Sequence, residues 1–365
     1  MRVRVLVDVS RLLDVGITSG VQRVVRELVP RLVAAADADL DVLMIGWDRT
    51  ALQFDVFDEA SALACLAGAD GMPEVVGTRR VDEFAAGEVF LDLDSVWTST
   101  LKRSTLYPLL RGAGVRVVTF VHDMVPMEIP RAVGLGPSAN WAVWIAAVLA
   151  YADVVLTNSR ASEKDFLAWK DRLGVTRPIP TVVTRLGADL PDREPPTAEE
   201  LALVALFVDE PYVLFVGTLE PRKRHLLALE AFDLLRAEHP EVHLVLAGRS
   251  WKLADPITEA VLAHPAYGTR LHWVDGPSDA LLVELYRRAT MATYLSWLEG
   301  FGLPIAESLG HGKVTLASRN SAMYEVGREA ADYTYADSAP EIAGTLAAYL
   351  GGPALLAARE GYVRD

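Results

Sequence analysis

Two carboxylates, Glu299 and Glu307, flank the turn Gly300-Phe301-Gly302-Leu303-Pro304. Gly300 and Gly302 let the backbone bend through conformations closed to other residues and let a ligand approach closely. Pro304 suits the first helical position, where a missing N–H costs nothing. The free N–H groups of that turn, with the helix dipole, attract phosphate. Glu307 then falls about one turn inside the helix. As an ionised carboxylate it only accepts, and can take both hydroxyls of a diol such as a ribose carries. Glu299, ahead of the glycines, is placed to accept from sugar hydroxyls. The alternative is a plain strand-to-helix turn with two surface glutamates.

A second group follows a candidate strand end: Gly217-Thr218-Leu219-Glu220-Pro221-Arg222-Lys223-Arg224-His225. Positive charge at a helix start disfavours the helix, and an anion relieves it. Arg222 can grip phosphate with two N–H groups and Lys223 adds a second charge; a solvated basic turn is the alternative. A third group, Phe120-Val121-His122-Asp123, also follows a strand. It is open to three readings: a metal-ligand pair, an acid/base dyad, or a hydrogen-bonded turn with Asp123 capping. No further His or Cys stands at ligand spacing, which makes the metal reading weak.

Weaker signals complete the set. Val15-Gly16-Ile17-Thr18-Ser19-Gly20 opens a helix like a phosphate loop but lacks Gly-x-Gly-x-x-Gly spacing; a helix cap explains it equally. Thr157-Asn158-Ser159-Arg160 is a polar strand end or a helix N-cap. In Gly248-Arg249-Ser250-Trp251-Lys252, Trp251 can stack on a base or cover apolar surface. Asp92-Leu93-Asp94 has the Asp-x-Asp form that holds a divalent ion elsewhere, but its strand setting and absent partners point to a structural role.

The string from Ser296 to Glu307, with the basic segment at Arg222-Lys223, resembles the signature of retaining glycosyltransferases of the group 1 (family 4) class, typified by bacterial mannosyltransferases and sucrose synthase. The resemblance is firm over the C-terminal half and loose over the N-terminal half. It implies the GT-B fold: two Rossmann-like doubly wound parallel sheets facing a cleft. It also implies transfer of a sugar from a nucleoside diphosphate to an acceptor hydroxyl with retention. Glu299, His122, Arg222 and Lys223 are the implied catalytic set. Gly217, Arg222, Lys223, Trp251, Gly300, Phe301, Gly302, Leu303 and Glu307 are implied to hold the nucleotide sugar, and Gly20, Arg23 and Asn158 to face the acceptor. GDP-mannose is the first expectation for the donor and a saccharide or glycolipid for the acceptor. No metal or other cofactor is expected. A nucleotide-sugar epimerase of the same fold, or a binding scaffold without turnover, are the rivals. Family chains usually end in a helix that crosses back to the first domain. Here the sequence stops at Gly361-Tyr-Val-Arg-Asp365, so that crossover is expected to be missing.

Elements must bring these residues together. The chain has 365 residues, about half apolar, and a net charge of −14. That suits two domains and argues against nonspecific nucleic-acid binding. It gives no support to docking on anionic lipid, though a local basic patch would leave peripheral membrane contact open. One cysteine, Cys65, rules out an internal disulfide framework and fits a reducing compartment; its apolar neighbours predict a buried thiol. The N-terminus alternates apolar and charged residues like a strand, and the longest apolar helix, 141–152, is shorter than the roughly 20 residues of a bilayer span. A soluble, cytoplasmic chain is expected.

Short apolar runs alternating with amphipathic helices predict parallel sheets. Strands are expected at 3–9, 89–93, 115–121, 154–157 and 181–185, then 212–216, 242–247, 271–274, 290–295 and 314–317. The helix from Gly20 turns Val24, Val25 and Val29 to the core and Gln22, Arg23, Arg26 and Glu27 away, with Pro30 expected to kink or end it. The proline-rich, acidic stretch after Gly187 divides the chain: an N-terminal domain over 1–190, a linker over 191–210 and a C-terminal domain over 211–365.

Overall fold

The computed structural model describes residues 2–14, 20–188, 190, 195–251, 254–334 and 338–364. By internal contacts the chain divides into two units, residues 1–130 with 134–186 and residues 131–133 with 187–365.

The first unit carries an eight-stranded sheet. Its strands are β1 (Val3–Asp8), β2 (Leu40–Asp48), β3 (Gln53–Phe57), β4 (Val75–Arg79), β5 (Val89–Asp92), β6 (Arg116–Val121), β7 (Val154–Thr157) and β8 (Thr181–Val183). Their order is β4-β3-β2-β1-β5-β6-β7-β8. The run from β2 to β8 through β1 is parallel, while β3 pairs antiparallel with both β2 and β4. The sheet is therefore not purely parallel, and β2 to β4 are strands that the sequence reading did not anticipate. Strand order reverses direction between β1 and β5, so residues just beyond their carboxyl ends sit at a switch point, where ligands of such sheets bind.

The second unit has six parallel strands: β9 (Tyr212–Val216), β10 (His243–Ala247), β11 (Leu271–Val274), β12 (Met291–Tyr294), β13 (Thr315–Ser318) and β14 (Asp332–Thr334). The order β11-β10-β9-β12-β13-β14 places its switch point between β9 and β12. Leu214 pairs with Ala292, which brings the ends of β9 and β12 level. One face is sealed by Phe215, Leu244, Phe232 and Ile342 and the other by Leu214, Val245, Leu282 and Tyr286.

Several local expectations are corrected. The helix Gly20–Ala34 runs through Pro30; only its last turn follows the proline, so little is lost. Gln22 is buried rather than turned away. Cys65 is half-buried, not buried. The expected apolar helix is longer, Leu135–Tyr151. The segment expected as a linker contains the helix Ala198–Val204, with a capping box between Thr197 and Glu200. Val204 and Phe207 are buried in the second unit, so apolar packing claims this stretch for that domain. The last described helix, Pro353–Arg364, belongs to the second unit. Among the described residues no single helix is long and apolar enough to cross a membrane; the pair Ala339–Leu350 and Pro353–Arg364 qualifies only together, with a 95° bend.

Candidate active site

The second unit gathers most of the predicted residues. Gly217 follows β9, and its N–H donates to Ala247 O at 2.9 Å. Gly248, following β10, lies so close that a β-carbon there would stand 2.2 Å from Gly217 O. This pair lets two strand ends meet backbone to backbone. The chain then makes one short turn, Pro221–Lys223, before the helix His225–Glu238.

Lys223 is buried and Arg222 mostly so, its side chain 15% exposed, so the solvated-turn reading does not hold. Arg222 Nη1 lies 2.6 Å from Glu299 Oε1 and donates to Leu298 O at 3.0 Å, while Nη2 meets Glu220 Oε1 at 2.8 Å. Lys223 Nζ donates to the same Glu299 oxygen and to the Tyr294 hydroxyl, which itself donates to Glu299 Oε1 at 2.7 Å. Two cations and two carboxylates thus form a compact cluster with no net charge.

Burial pushes the Glu299 carboxyl up, but Arg222 and then Lys223 outweigh it and hold the group below the usual carboxylate range. Burial and then Arg222 lower the Lys223 pKa. For Arg222 burial works against the charge, yet Glu299 and Glu220 raise its pKa further. Tyr294 is kept protonated by burial and by Glu299, so it remains a donor.

Gly302 is the N-cap of the helix Leu303–Gly310, with φ 94°, a conformation that favours glycine. The helix begins at Leu303, so Pro304 is its second residue and not its first; its missing N–H still falls in the first turn, where it costs no intrahelical bond. Gly300, Phe301 and Leu303 complete this turn beside Glu299. Glu307 is buried, and its Oε2 accepts from the Tyr286 hydroxyl at 2.9 Å. Neither glutamate is a surface residue. The loop is pinned from behind: Ser321 Oγ donates to Glu299 O at 2.8 Å, and Asn320 Nδ2 to Ser296 O at 3.3 Å. Trp251 follows β10, is exposed, and its backbone N–H donates to Leu219 O at 3.2 Å.

The other predicted residues belong to the first unit. His122, just past β6, is buried and stacks on Phe120 with ring centroids 4.4 Å apart. Its Nε2 lies 2.7 Å from Leu93 O. A carbonyl only accepts, so Nε2 carries the proton. Burial lowers the pKa, which leaves a neutral ring with its lone pair on Nδ1. Asp123 Oδ1 accepts from the N–H of Val125 at 3.0 Å, as the turn reading expected. Asn158 is buried and accepts from Ser162 Oγ at 3.0 Å, while Ser159 caps the helix Arg160–Arg172. Gly20 begins, and Arg23 lies in, the first turn of the helix Gly20–Ala34. Residues 15–19 of that loop, and Lys252, lie outside the described residues.

Asp92 accepts from Arg103 Nε at 2.6 Å and from Tyr107 at 2.7 Å, the structural role expected of it. Asp94 accepts from Gln22 Nε2 at 2.7 Å. Among the described residues no three His, Cys, Asp or Glu side chains converge as a metal set would. Sequence reasoning missed Tyr294, Glu220 and Tyr286. Tyr294 ends a strand and Glu220 lies beside the basic pair, but both signals are ordinary until the strands are ordered.

Residues 199–347 match the family described as glycosyl transferases group 1. The serotype-specific mannosyltransferase WbdA of Escherichia coli is 29% identical over 356 residues, covering 93% of this chain and 40% of that protein. The O-antigen chain mannosyltransferase B of Escherichia coli is 35% identical over 120 residues, 32% of this chain and 30% of that protein. The chain thus spans well under half the length of the curated relatives it matches. Among solved structures, sucrose-phosphate synthase (tll1590) from Thermosynechococcus elongatus superposes with a TM-score of 0.67 at 19% identity, covering 100% of this chain and 93% of that one. Anabaena Alr3699/HepE, in complex with UDP and glucose, gives 0.63 at 16% identity, covering 99% and 94%. The chain has the GT-B fold and carries a group 1 glycosyl transferase domain.

Proposed function

We propose that this chain, with its group 1 glycosyl transferase domain, transfers a sugar from a nucleoside diphosphate to an acceptor hydroxyl, with retention at the anomeric carbon. The observation that carries the reading is the buried Arg222–Lys223–Glu299–Tyr294 cluster beside the helix that starts after Gly302, at the switch point of a doubly wound sheet. The preferred donor is GDP-mannose, supported by the mannosyltransferase names of the WbdA relatives. The preferred acceptor is a saccharide or glycolipid, and the preferred setting the cytoplasm.

In this reading Arg222, Lys223 and the first-turn N–H groups after Gly302 take up charge on the departing diphosphate. Fixed donors of this kind act where charge develops and need no reorganisation. Glu299, locked by its two cations, accepts from the sugar hydroxyls. Glu307, oriented by Tyr286, accepts from the ribose diol, and Trp251 lies against the base. His122, neutral with its lone pair on Nδ1, accepts from a hydroxyl of the donor sugar and does not act as an acid. Gly20, Arg23 and Asn158 serve the acceptor. Attack from the face of the departing phosphate, assisted by that phosphate, gives retention without a protein nucleophile. The two cations do the electrostatic work a divalent ion would otherwise do.

Arg222→Ala or Lys223→Ala should each lower turnover about 100- to 1000-fold. Unchanged turnover with either variant removes that residue from the mechanism. A thermal-shift comparison of GDP, UDP, ADP and dTDP tests the donor: a ligand at 100 times its dissociation constant adds about 2.7 kcal/mol. GDP should raise the melting temperature most, and no shift with any of the four contradicts the reading. Turnover that survives a chelator would support the metal-independent route, and loss of turnover would oppose it.

A further inference from the structure

The second unit contains a cavity of about 420 Å³ that the donor reading does not use. It lies at the far end of the helix Ser321–Gly327, whose first residue is tied to the Glu299 loop. Arg319, Arg328 and Arg359 line it, with Tyr324 and Tyr333 as an aromatic wall. The two tyrosine rings have centroids 5.3 Å apart, and the Arg319 guanidinium lies 4.9 Å from the Tyr324 centroid.

The buried polar atoms left unpaired here are donors. Arg359 Nη2 donates to Glu329 O at 2.7 Å and to Asp332 Oδ1 at 3.0 Å, but its Nε–H is buried with no acceptor. The Tyr333 hydroxyl is likewise buried and unpaired. Two carboxylates, Glu329 and Asp332, also line the cavity, and Asp332 is already shared with the Tyr349 hydroxyl. Among the described residues neither Arg319 nor Arg328 has a carboxylate at ion-pair distance. Three guanidiniums against two carboxylates leave the lining with a surplus of positive charge and of unpaired donors, which suits a phosphate, since it accepts. Burial also keeps the Tyr333 hydroxyl protonated.

The backbone adds an independent observation. Arg328 adopts φ 43° and ψ −130°. A glycine would take this conformation readily, whereas a side chain there is strained. Next to it Gly327 is needed as glycine: a β-carbon would stand 2.5 Å from the Tyr333 hydroxyl. The strained turn thus holds an arginine where the fold alone would favour glycine, at the edge of a cavity, in a chain whose net charge is −14.

We infer that this cavity is a second ligand site that binds the phosphate of a phosphorylated sugar through Arg319, Arg328 and Arg359, with the sugar ring against Tyr324 and Tyr333. Its volume falls in the range of small-molecule sites, and aromatic faces suit the apolar side of a sugar ring. The inference is independent of the donor reading and survives if that reading fails.

The test is calorimetric titration of the whole chain with a hexose 6-phosphate, the same hexose without phosphate, and inorganic phosphate, beside flotation with phosphatidylglycerol/phosphatidylcholine vesicles. Expected are saturable binding of the hexose phosphate, weaker binding of inorganic phosphate and none of the plain hexose. Arg319→Gln and Arg328→Gly should each weaken hexose phosphate binding at least about tenfold, equivalent to about 1.4 kcal/mol, while GDP affinity stays unchanged. Arg328→Gly should also hold or raise the melting temperature because it relieves the backbone; should it unfold the chain, Arg319→Gln decides. Failure of both phosphate probes to bind at millimolar concentration, or binding indifferent to both substitutions, overturns the proposal. Vesicle binding that Arg319→Gln abolishes, without hexose phosphate binding, overturns the sugar assignment and gives the phosphate pocket to a lipid headgroup.

Discussion

Glu299 is held by the groups it was expected to work beside. Its carboxylate and that of Glu220 balance Arg222 and Lys223 in a largely buried cluster, so removing its charge leaves two desolvated cations against Glu220 alone. Breaking a buried pair from one side typically costs about 3–5 kcal/mol. Glu299→Gln should therefore lower the melting temperature clearly. An anion should then substitute for the lost carboxylate, so GDP should raise the melting temperature of the variant by more than it raises that of the parent. Equal shifts in differential scanning fluorimetry would show that the nucleotide does not reach these cations. At this scale the sequence was informative where residue types are rare in combination: a glutamate ahead of two glycines, an Arg-Lys pair after a strand. It was silent on Tyr294 and Glu220, because one is an unremarkable strand end and the other one acid among many. It misjudged Gln22 because a helical face predicts burial of apolar groups, and Gln22 is buried by a hydrogen bond to Asp94.

Among elements, the parallel strands that build the two switch points were legible because each is a short apolar run bounded by turns. Strands β2 to β4 were not. β3 and β4 form an antiparallel margin, Val75 and Val76 of β4 are exposed, and their pattern follows neither the core nor a helix. The strand ends carry a sharper test. Gly248→Ala would force a methyl group onto Gly217 O, and overpacking of this kind typically costs about 1–3 kcal/mol. Chemical denaturation should show that loss, and an unchanged midpoint would mean the two turns can separate freely. The same sheet holds a pH response. His243, at the start of β10, accepts from Arg270 at Nε2, so its proton lies on Nδ1, 2.9 Å from His272 Nε2. Burial and then Arg270 lower the His243 pKa to about 4, and burial lowers that of His272. Burial and then Lys223 bring His225 to about 3. The unfolded chain takes up these protons near pH 6.5, the folded chain only at lower pH. Through that window the unfolded state binds more protons, so stability present above about pH 6.5 falls on acidification. Thermal melts should drop between pH 7 and pH 5, and His225→Leu should flatten the decline. A melting temperature constant over that range contradicts this. Glu299 adds a loss of the same sign only below about pH 4.5, where unfolded glutamates begin to protonate.

For the whole molecule, each unit closes its own sheet with its own apolar clusters, and each is of ordinary domain size. The division was visible in the sequence as a proline-rich, acidic stretch. Its extent was not, because the capping box at Thr197–Glu200 and the buried Val204 and Phe207 draw that stretch into the second unit. Every residue assigned to the donor's diphosphate and ribose lies in that unit: Gly217, Arg222, Lys223, Gly302 and Glu307. His122, Asn158, Gly20 and Arg23 lie in the other. If the donor reading is correct, nucleotide affinity and turnover must separate on division of the chain. Residues 187–364 expressed alone should melt cooperatively and bind GDP within about tenfold of the whole chain, since a tenfold change is only about 1.4 kcal/mol, yet show no transfer. Calorimetry on the folded fragment decides the point. Loss of GDP affinity well beyond that margin would require the first unit to contribute to nucleotide binding, and would move the recognition of the donor out of the Arg222–Lys223–Glu299 cluster.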